Sequence, residues 1–174
     1  HPVRKRLNEN SLISQAVYRS YHIVDDVLIN IRGSQTPFAK AETLVDQFLD
    51  WRKNQHKDWF AWIHPMDTHA PYEAPEKYQR RYFDESASRR RSQKLASTAT
   101  HYPTELTEAD WRDQQRLYKA ECEYLDDQIK RLLESLTNAE RENTVIVFTA
   151  DHGEMHGEHG VGGHPQQFWE EVIH

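Results

Sequence analysis

Thr144-Val-Ile-Val-Phe-Thr-Ala-Asp151-His152-Gly153-Glu-Met-His156-Gly-Glu-His159-Gly-Val-Gly-Gly-His164 is the stretch on which the fold of this chain turns. Val145, Ile146, Val147 and Phe148 are β-branched or aromatic, the composition of a buried strand. The run stops at Asp151-His152-Gly153 and gives way to a loop rich in Gly and His. In open α/β sheets, ligand-binding residues collect at the carboxyl ends of strands. A carboxylate and an imidazole there, beside glycines that admit unusual backbone angles, read as part of a metal site. The competing reading is an Asx-type turn in which Asp151 caps the backbone.

Working outward, Thr107-Glu108-Ala109-Asp110 predicts a helix N-terminus with acidic residues in its first turn. Trp111, Tyr118, Cys122, Leu125, Ile129, Leu132 and Leu136 follow at three- and four-residue steps, one apolar face. Asn138 to Asn143 is expected to turn the chain into the strand at 144–150. Further upstream, Trp59, Phe60, Ala61, Trp62 and Ile63 read as a second buried strand. It runs into the loop His64-Pro65-Met66-Asp67-Thr68-His69-Ala70-Pro71-Tyr72. Leu44, Val45, Phe48, Leu49 and Trp51 give helical spacing between Ala39 and about Gln55. Residues 84–104 carry little apolar content and are expected to form an exposed loop excursion. Residues 1–36 are poorly assigned: Leu12, Ile13, Val17 and Tyr18 suit a short helix, Val27 to Ile31 a strand, and Ser34 to Pro37 a turn. Alternation of helix, strand and loop points to an α/β fold with a partly parallel sheet, in one partial domain over 1–174.

With 174 residues, the chain is long enough for one real core. A net charge of −6, from 28 acidic and 22 basic residues, argues against nucleic acid as a partner. The basic cluster Arg89-Arg90-Arg91 reads as a solvated loop. The single cysteine, Cys122, excludes an internal disulfide framework and a cysteine-based zinc cluster. No apolar run is long enough to span a bilayer and no signal-peptide pattern opens the chain, so the expectation is a soluble chain without a membrane partner. These missing signals do not place a fragment in a compartment, which stays unknown with a weak lean to cytoplasmic.

Three further residues carry candidate chemistry. His69, with His64, flanks the end of the strand at 59–63, and imidazole is the usual proton-transfer group near neutral pH. His164 closes the glycine-rich loop and could reach the same cleft as Asp151 and His152. His156 and His159 could serve a separate zinc ion, although no His-Glu-x-x-His helix motif is present.

Taken together, Trp-Ile-His-Pro-Met-Asp-Thr-His-Ala-Pro-Tyr (62–72), the helix around Tyr118–Leu136, Thr144–Gly160, and Gly163-His164 with Phe168-Trp169-Glu170-Glu171 resemble the sulfatase family of the alkaline-phosphatase superfamily, over roughly residues 40–174. The resemblance implies an alkaline-phosphatase-like α/β sheet flanked by helices, here partial. It implies that Asp151 and His152 bind the catalytic divalent metal, usually Ca²⁺. Imidazole at 152, where relatives often have Asn, leaves Mn²⁺ and Zn²⁺ open. It also implies that His69 contacts the sulfate group and that His164 binds the sulfate and assists the leaving group. The substrate would be a sulfate ester of a small molecule or glycan.

The family's nucleophile is a formylglycine matured from Cys or Ser in Cys/Ser-x-Pro-x-Arg. Cys122 lies in Glu-Cys-Glu-Tyr-Leu, and Ser34-Gln-Thr-Pro-Phe-Ala-Lys has the wrong spacing and no Arg. Asp25-Asp26 stands in the wrong order to replace the family's paired aspartates. The expectation is therefore an internal piece of a sulfuric ester hydrolase, inactive alone, whose nucleophile lies elsewhere in the parent. Two alternatives stay open: a phosphate or phosphonate ester hydrolase or phosphotransferase of the same superfamily, and a non-catalytic metal- or anion-binding module.

Overall fold

The computed structural model describes residues 38–83, 91–92, 94–95, 98–99, 103–164 and 169–173. All of these except Phe38 belong to one compact unit, residues 39–174. The helix, strand and turn expected within 1–37 lie outside the described residues.

Helix α1 spans Ala41–Arg52, within the expected 39–55, and buries Ala41, Val45 and Phe48. Trp51 stays 41% exposed, packed edge-on to Trp59. A single turn, α2 (Glu76–Gln79), buries Tyr78 and Gln79. The long helix α3 spans Glu108–Glu134 and begins as its sequence predicts. Thr107 Oγ1 accepts the N–H of Asp110 at 3.2 Å, and Asp110 Oδ2 accepts the N–H of Thr107 at 3.0 Å. This reciprocal capping satisfies two N–H groups that the first turn leaves without helical partners.

The buried face of α3 is not its apolar stripe. Gln114, Leu117, Ala120, Glu121, Tyr124 and Gln128 are buried, while Trp111, Tyr118, Cys122, Leu125, Ile129 and Leu132 are half-buried. At about 100° per residue the two faces differ by roughly a quarter turn. Gln114, Glu121 and Gln128 recur at heptad spacing, a polar seam inside the packing. Two small cores lie against this side. One joins Ala41, Ala74, Tyr78, Ala120 and Tyr124; the other joins Tyr72, Leu95 and Leu117.

The segment expected as an exposed excursion over 84–104 is different where it is described. Residues 91, 92, 94, 95, 98 and 99 are helical, and Ser92, Leu95 and Ala99 are buried. Its three apolar or small side chains fall on one face, and low overall hydrophobicity concealed that face. Asn138 to Asn143 is also more regular than a turn. Helix α4 (Asn138–Glu142) is capped by Thr137 and Glu140, a Thr-x-x-Glu signal present in the sequence.

The strands are the main correction. Residues 59–63 and 144–150 form no strand and join no sheet among the described residues. The one ladder described is two residues long: β1 (Met155–His156) pairs antiparallel with β2 (Gly162–Gly163). Val145, Val147 and Phe148 are 79–89% exposed, and Phe60 and Trp62 are 84% and 73% exposed. An apolar run without polar alternation is the pattern of a strand covered on both faces. The pattern specifies that environment, and the described residues do not supply it. A last turn, α5 (Glu170–Ile173), buries Val172. No helix among the described residues is long and apolar enough to cross a membrane.

Candidate functional site

Two segments far apart in sequence build the site, and each is tied down by buried polar contacts. The first is the loop 64–72. Asp67, 5% exposed, accepts the N–H of Ala41 at 2.9 Å, at the start of α1. Lys40 Nζ lies 3.6 Å from Asp67 and 3.5 Å from Glu121. Glu121 also accepts the N–H of Glu73. The loop is therefore fixed on both sides of His69. Burial pushes the carboxyls of Asp67 and Glu121 upward, Glu121 to about 7, against the opposing pull of Lys40.

The second segment is 151–164. Gly157, at φ +109°, occupies left-handed backbone space and lies so close to the Trp111 indole that a Cβ would come within 2.9 Å of it. Gly162 has the same relation to Trp111. The glycines therefore let the hairpin settle on α3, where Met155 is fully buried. Gly153 donates to the carbonyl of Val172 at 2.8 Å, which ties the start of the segment to α5.

These anchors bring His69, His152 and His164 together. His69 and His164, 95 residues apart, have their Nε2 atoms 3.2 Å from each other. The ring centroids of His152 and His164 are 4.2 Å apart. Nδ1–H of His69 donates to the carbonyl of Ala70 at 2.7 Å, which leaves its Nε2 facing His164. Nδ1–H of His152 donates in the same way to Gly153 at 2.9 Å. A ring nitrogen fixed by a carbonyl orients the other for a ligand. Burial, then the neighbouring His152 and His69, push the imidazole of His164 downward, toward the neutral form.

Asp151 stands at the solvent edge. One oxygen accepts the N–H of His152 at 3.0 Å, the local contact of the Asx-type reading, and the other lies 3.9 Å from His152 Nε2. The pair offers one carboxylate oxygen and one oriented imidazole nitrogen on the same side, a donor set compatible with a divalent ion. His64, by contrast, is exposed and edge-on to Trp62. His159 stacks on Trp169 at 4.6 Å, and among the described residues neither it nor His156 joins a group of three potential metal ligands. His156 is wedged against Tyr118 and Tyr72, and neither of its ring nitrogens has a partner among the described residues.

One residue was missed by the sequence reading. Glu154 lies within the histidine cluster: one ligand atom each from His69, Glu154 and His164 fall within 4.8 Å of one another. Its Oε2 accepts a hydrogen bond from Tyr72 Oη at 3.3 Å, while its Oε1 is buried without a partner among the described residues. Burial raises its carboxyl above the ordinary range, partly offset by His69. Glu154 stands two residues beyond His152, and that spacing, together with its carboxylate, was the available signal.

A sulfatase family model matches residues 4–174. An uncharacterized sulfatase, YidJ, of Escherichia coli (strain K12) is 32% identical over 102 residues, covering 53% of this chain and 20% of that protein. A choline-sulfatase of Rhizobium meliloti (strain 1021) is 34% identical over 71 residues, or 40% of this chain and 14% of the relative. An ulvan-active sulfatase of Formosa agariphila is 29% identical over 156 residues, covering 88% of this chain and 28% of its own length. The chain thus spans between 14% and 28% of the lengths of these relatives. No solved structure matches it. The α/β class expected from the sequence is the class the family implies, with only the two-residue ladder of its sheet described. With the family match running across every residue that builds the site, the chain belongs to the sulfatase family.

Proposed function

We propose that the parent polypeptide hydrolyses sulfate esters, and that His69, His152, His164 and Asp151 form one wall of its active site. The observation that carries this reading is the convergence of His69 and His164, with Nε2 atoms 3.2 Å apart, beside the Asp151–His152 pair. Two imidazoles aimed at one point can donate to two oxygens of a tetrahedral anion. His69 would hold a non-bridging sulfate oxygen. His164, on the exposed side, would contact the bridging oxygen and supply a proton as the alcohol departs. Asp151 and His152 would hold a divalent ion, Ca²⁺ or, given the imidazole, Mn²⁺ or Zn²⁺. When bound it supplies positive charge against the sulfate oxygens. The nucleophile is a formylglycine from a part of the parent outside these 174 residues. Relatives named for choline and for ulvan share the sulfate and differ in the alcohol, so the reading commits to the sulfate ester.

The test is turnover by the purified parent of paired aryl sulfate and aryl phosphate substrates. Sulfate hydrolysis should dominate and should fall by about 10²–10³-fold in His69→Ala, the scale of a lost oxyanion donor. Preferential phosphate turnover, or an unchanged rate in His69→Ala and His164→Ala, would overturn it.

A further inference from the structure

Asp151 and His152 do not exhaust the metal-binding chemistry of this cluster. His69, Glu154 and His164 offer two imidazole nitrogens and a carboxylate oxygen, all within 4.8 Å of one another. A zinc ion held at about 2.0–2.1 Å by two tetrahedral nitrogen ligands sets them about 3.3 Å apart. His69 Nε2 and His164 Nε2 are 3.2 Å apart, already at that bite. Bringing the Glu154 oxygen to the same distance needs a side-chain shift of at most about 1.5 Å.

The surroundings are those of a ligand set. The His69 ring is fixed by Ala70, with Nε2 turned toward His164. Glu154 is steadied by Tyr72 Oη through one oxygen, and its other oxygen is buried with no partner among the described residues. Outer partners of this kind orient metal ligands. His164 is exposed, which gives an ion a route in and leaves the remaining coordination position toward solvent.

We infer that His69, Glu154 and His164 form a binding site for a borderline transition-metal ion such as Zn²⁺, separate from the Asp151–His152 pair. Two imidazoles and one carboxylate favour Zn²⁺ or Co²⁺ over Ca²⁺, which takes six to eight oxygens. The nitrogens that the ion would take are the ones the proposed function assigns to the sulfate. Resting on that reading, occupancy of the site and productive sulfate binding exclude each other, so Zn²⁺ is an inhibitor of the parent enzyme. The binding itself does not depend on that reading.

The experiment titrates Co²⁺, a spectroscopic stand-in for Zn²⁺, into the 174-residue chain in excess Ca²⁺. One equivalent should raise the visible bands of a four-coordinate site, and Zn²⁺ should displace it. His164→Ala, at an exposed position, and Glu154→Gln should each weaken Co²⁺ by about 10–100-fold. Asp151→Ala should leave the affinity within about twofold. In the unaltered chain, Zn²⁺ should shift the side-chain resonances of His69 and His164. Bands unchanged in both His164→Ala and Glu154→Gln, bands lost in Asp151→Ala, or displacement by Ca²⁺ would sink the site. Absence of sulfate hydrolysis by the parent would sink the proposed function and leave these readouts intact. Turnover in the parent without Zn²⁺ inhibition would remove only the exclusion.

Discussion

Glu121, with no exposed surface, accepts the backbone N–H of Glu73, four residues beyond His69. A carboxylate in the middle of the longest described helix thus fixes the loop that carries His69. Lys40 stands between Glu121 and Asp67 and offsets part of their charge. Lys40 is 36% exposed, so solvent screens this attraction, and the cost of burying two carboxylates is only partly recovered.

That arrangement sets a pH dependence. Burial raises Glu121 from its model-compound value of 4.5 to about 7 in the folded chain. The folded state therefore holds a proton that the unfolded state releases, and stability falls as pH rises from about 4.5 through about 7. Glu121→Gln keeps an acceptor for Glu73 but cannot ionise. Denaturant titrations across that range should show a shallower pH slope in Glu121→Gln than in the unaltered chain. Parallel slopes would contradict the placement of the charge.

Asp67→Ala leaves the fully buried N–H of Ala41 without its acceptor at the first turn of α1. An unsatisfied buried donor costs about 1–3 kcal/mol. Urea denaturation at pH 8 should register a loss of that size, and no measurable loss would show that water replaces Asp67.

Gly153→Ala places a methyl group 2.1 Å from the carbonyl oxygen of Glu171. Backbone must move on one side, so α5 or the Asp151–His152 corner shifts. Overpacking of this kind costs about 1–3 kcal/mol. The variant should melt several degrees lower, and a melting temperature equal to that of the unaltered chain would count against the contact.

The exposed run Val145, Ile146, Val147 and Phe148, with Phe60 and Trp62, gives the isolated chain apolar surface that favours association. Light scattering coupled to size exclusion should show self-association that grows with concentration. Val147→Lys should reduce it without changing helix content by circular dichroism. A monomer at every concentration would refute the prediction.

Local signals were legible where physics is local. Thr107 and Asp110 announce the start of α3, and Thr137 and Glu140 announce α4, because a cap is decided within four residues. The burial of α3 was not legible, since Lys40, Glu73 and Asp67 reach Glu121 from distant segments and make a polar face the inner one. The strand readings failed for the opposite reason: composition over 144–150 describes neighbours that are not among the described residues. At the site, His69, His152 and His164 were identified from motif order, and their convergence depends on contacts no local window contains. Glu154 belongs to no motif of its own and meets His69 and His164 only through the fold, although it lies two residues beyond His152.

Both histidine-bearing segments are referenced to the same helix, one through Glu121 and the other through Trp111 beneath Gly157 and Gly162. Helix α3 therefore works as a gauge. Each residue added between 111 and 121 would turn one reference point by about 100° and advance it by about 1.5 Å relative to the other. Descent can replace side chains along that interval freely where they face solvent, but it cannot change their number. Insertions and deletions in relatives should avoid 111–121.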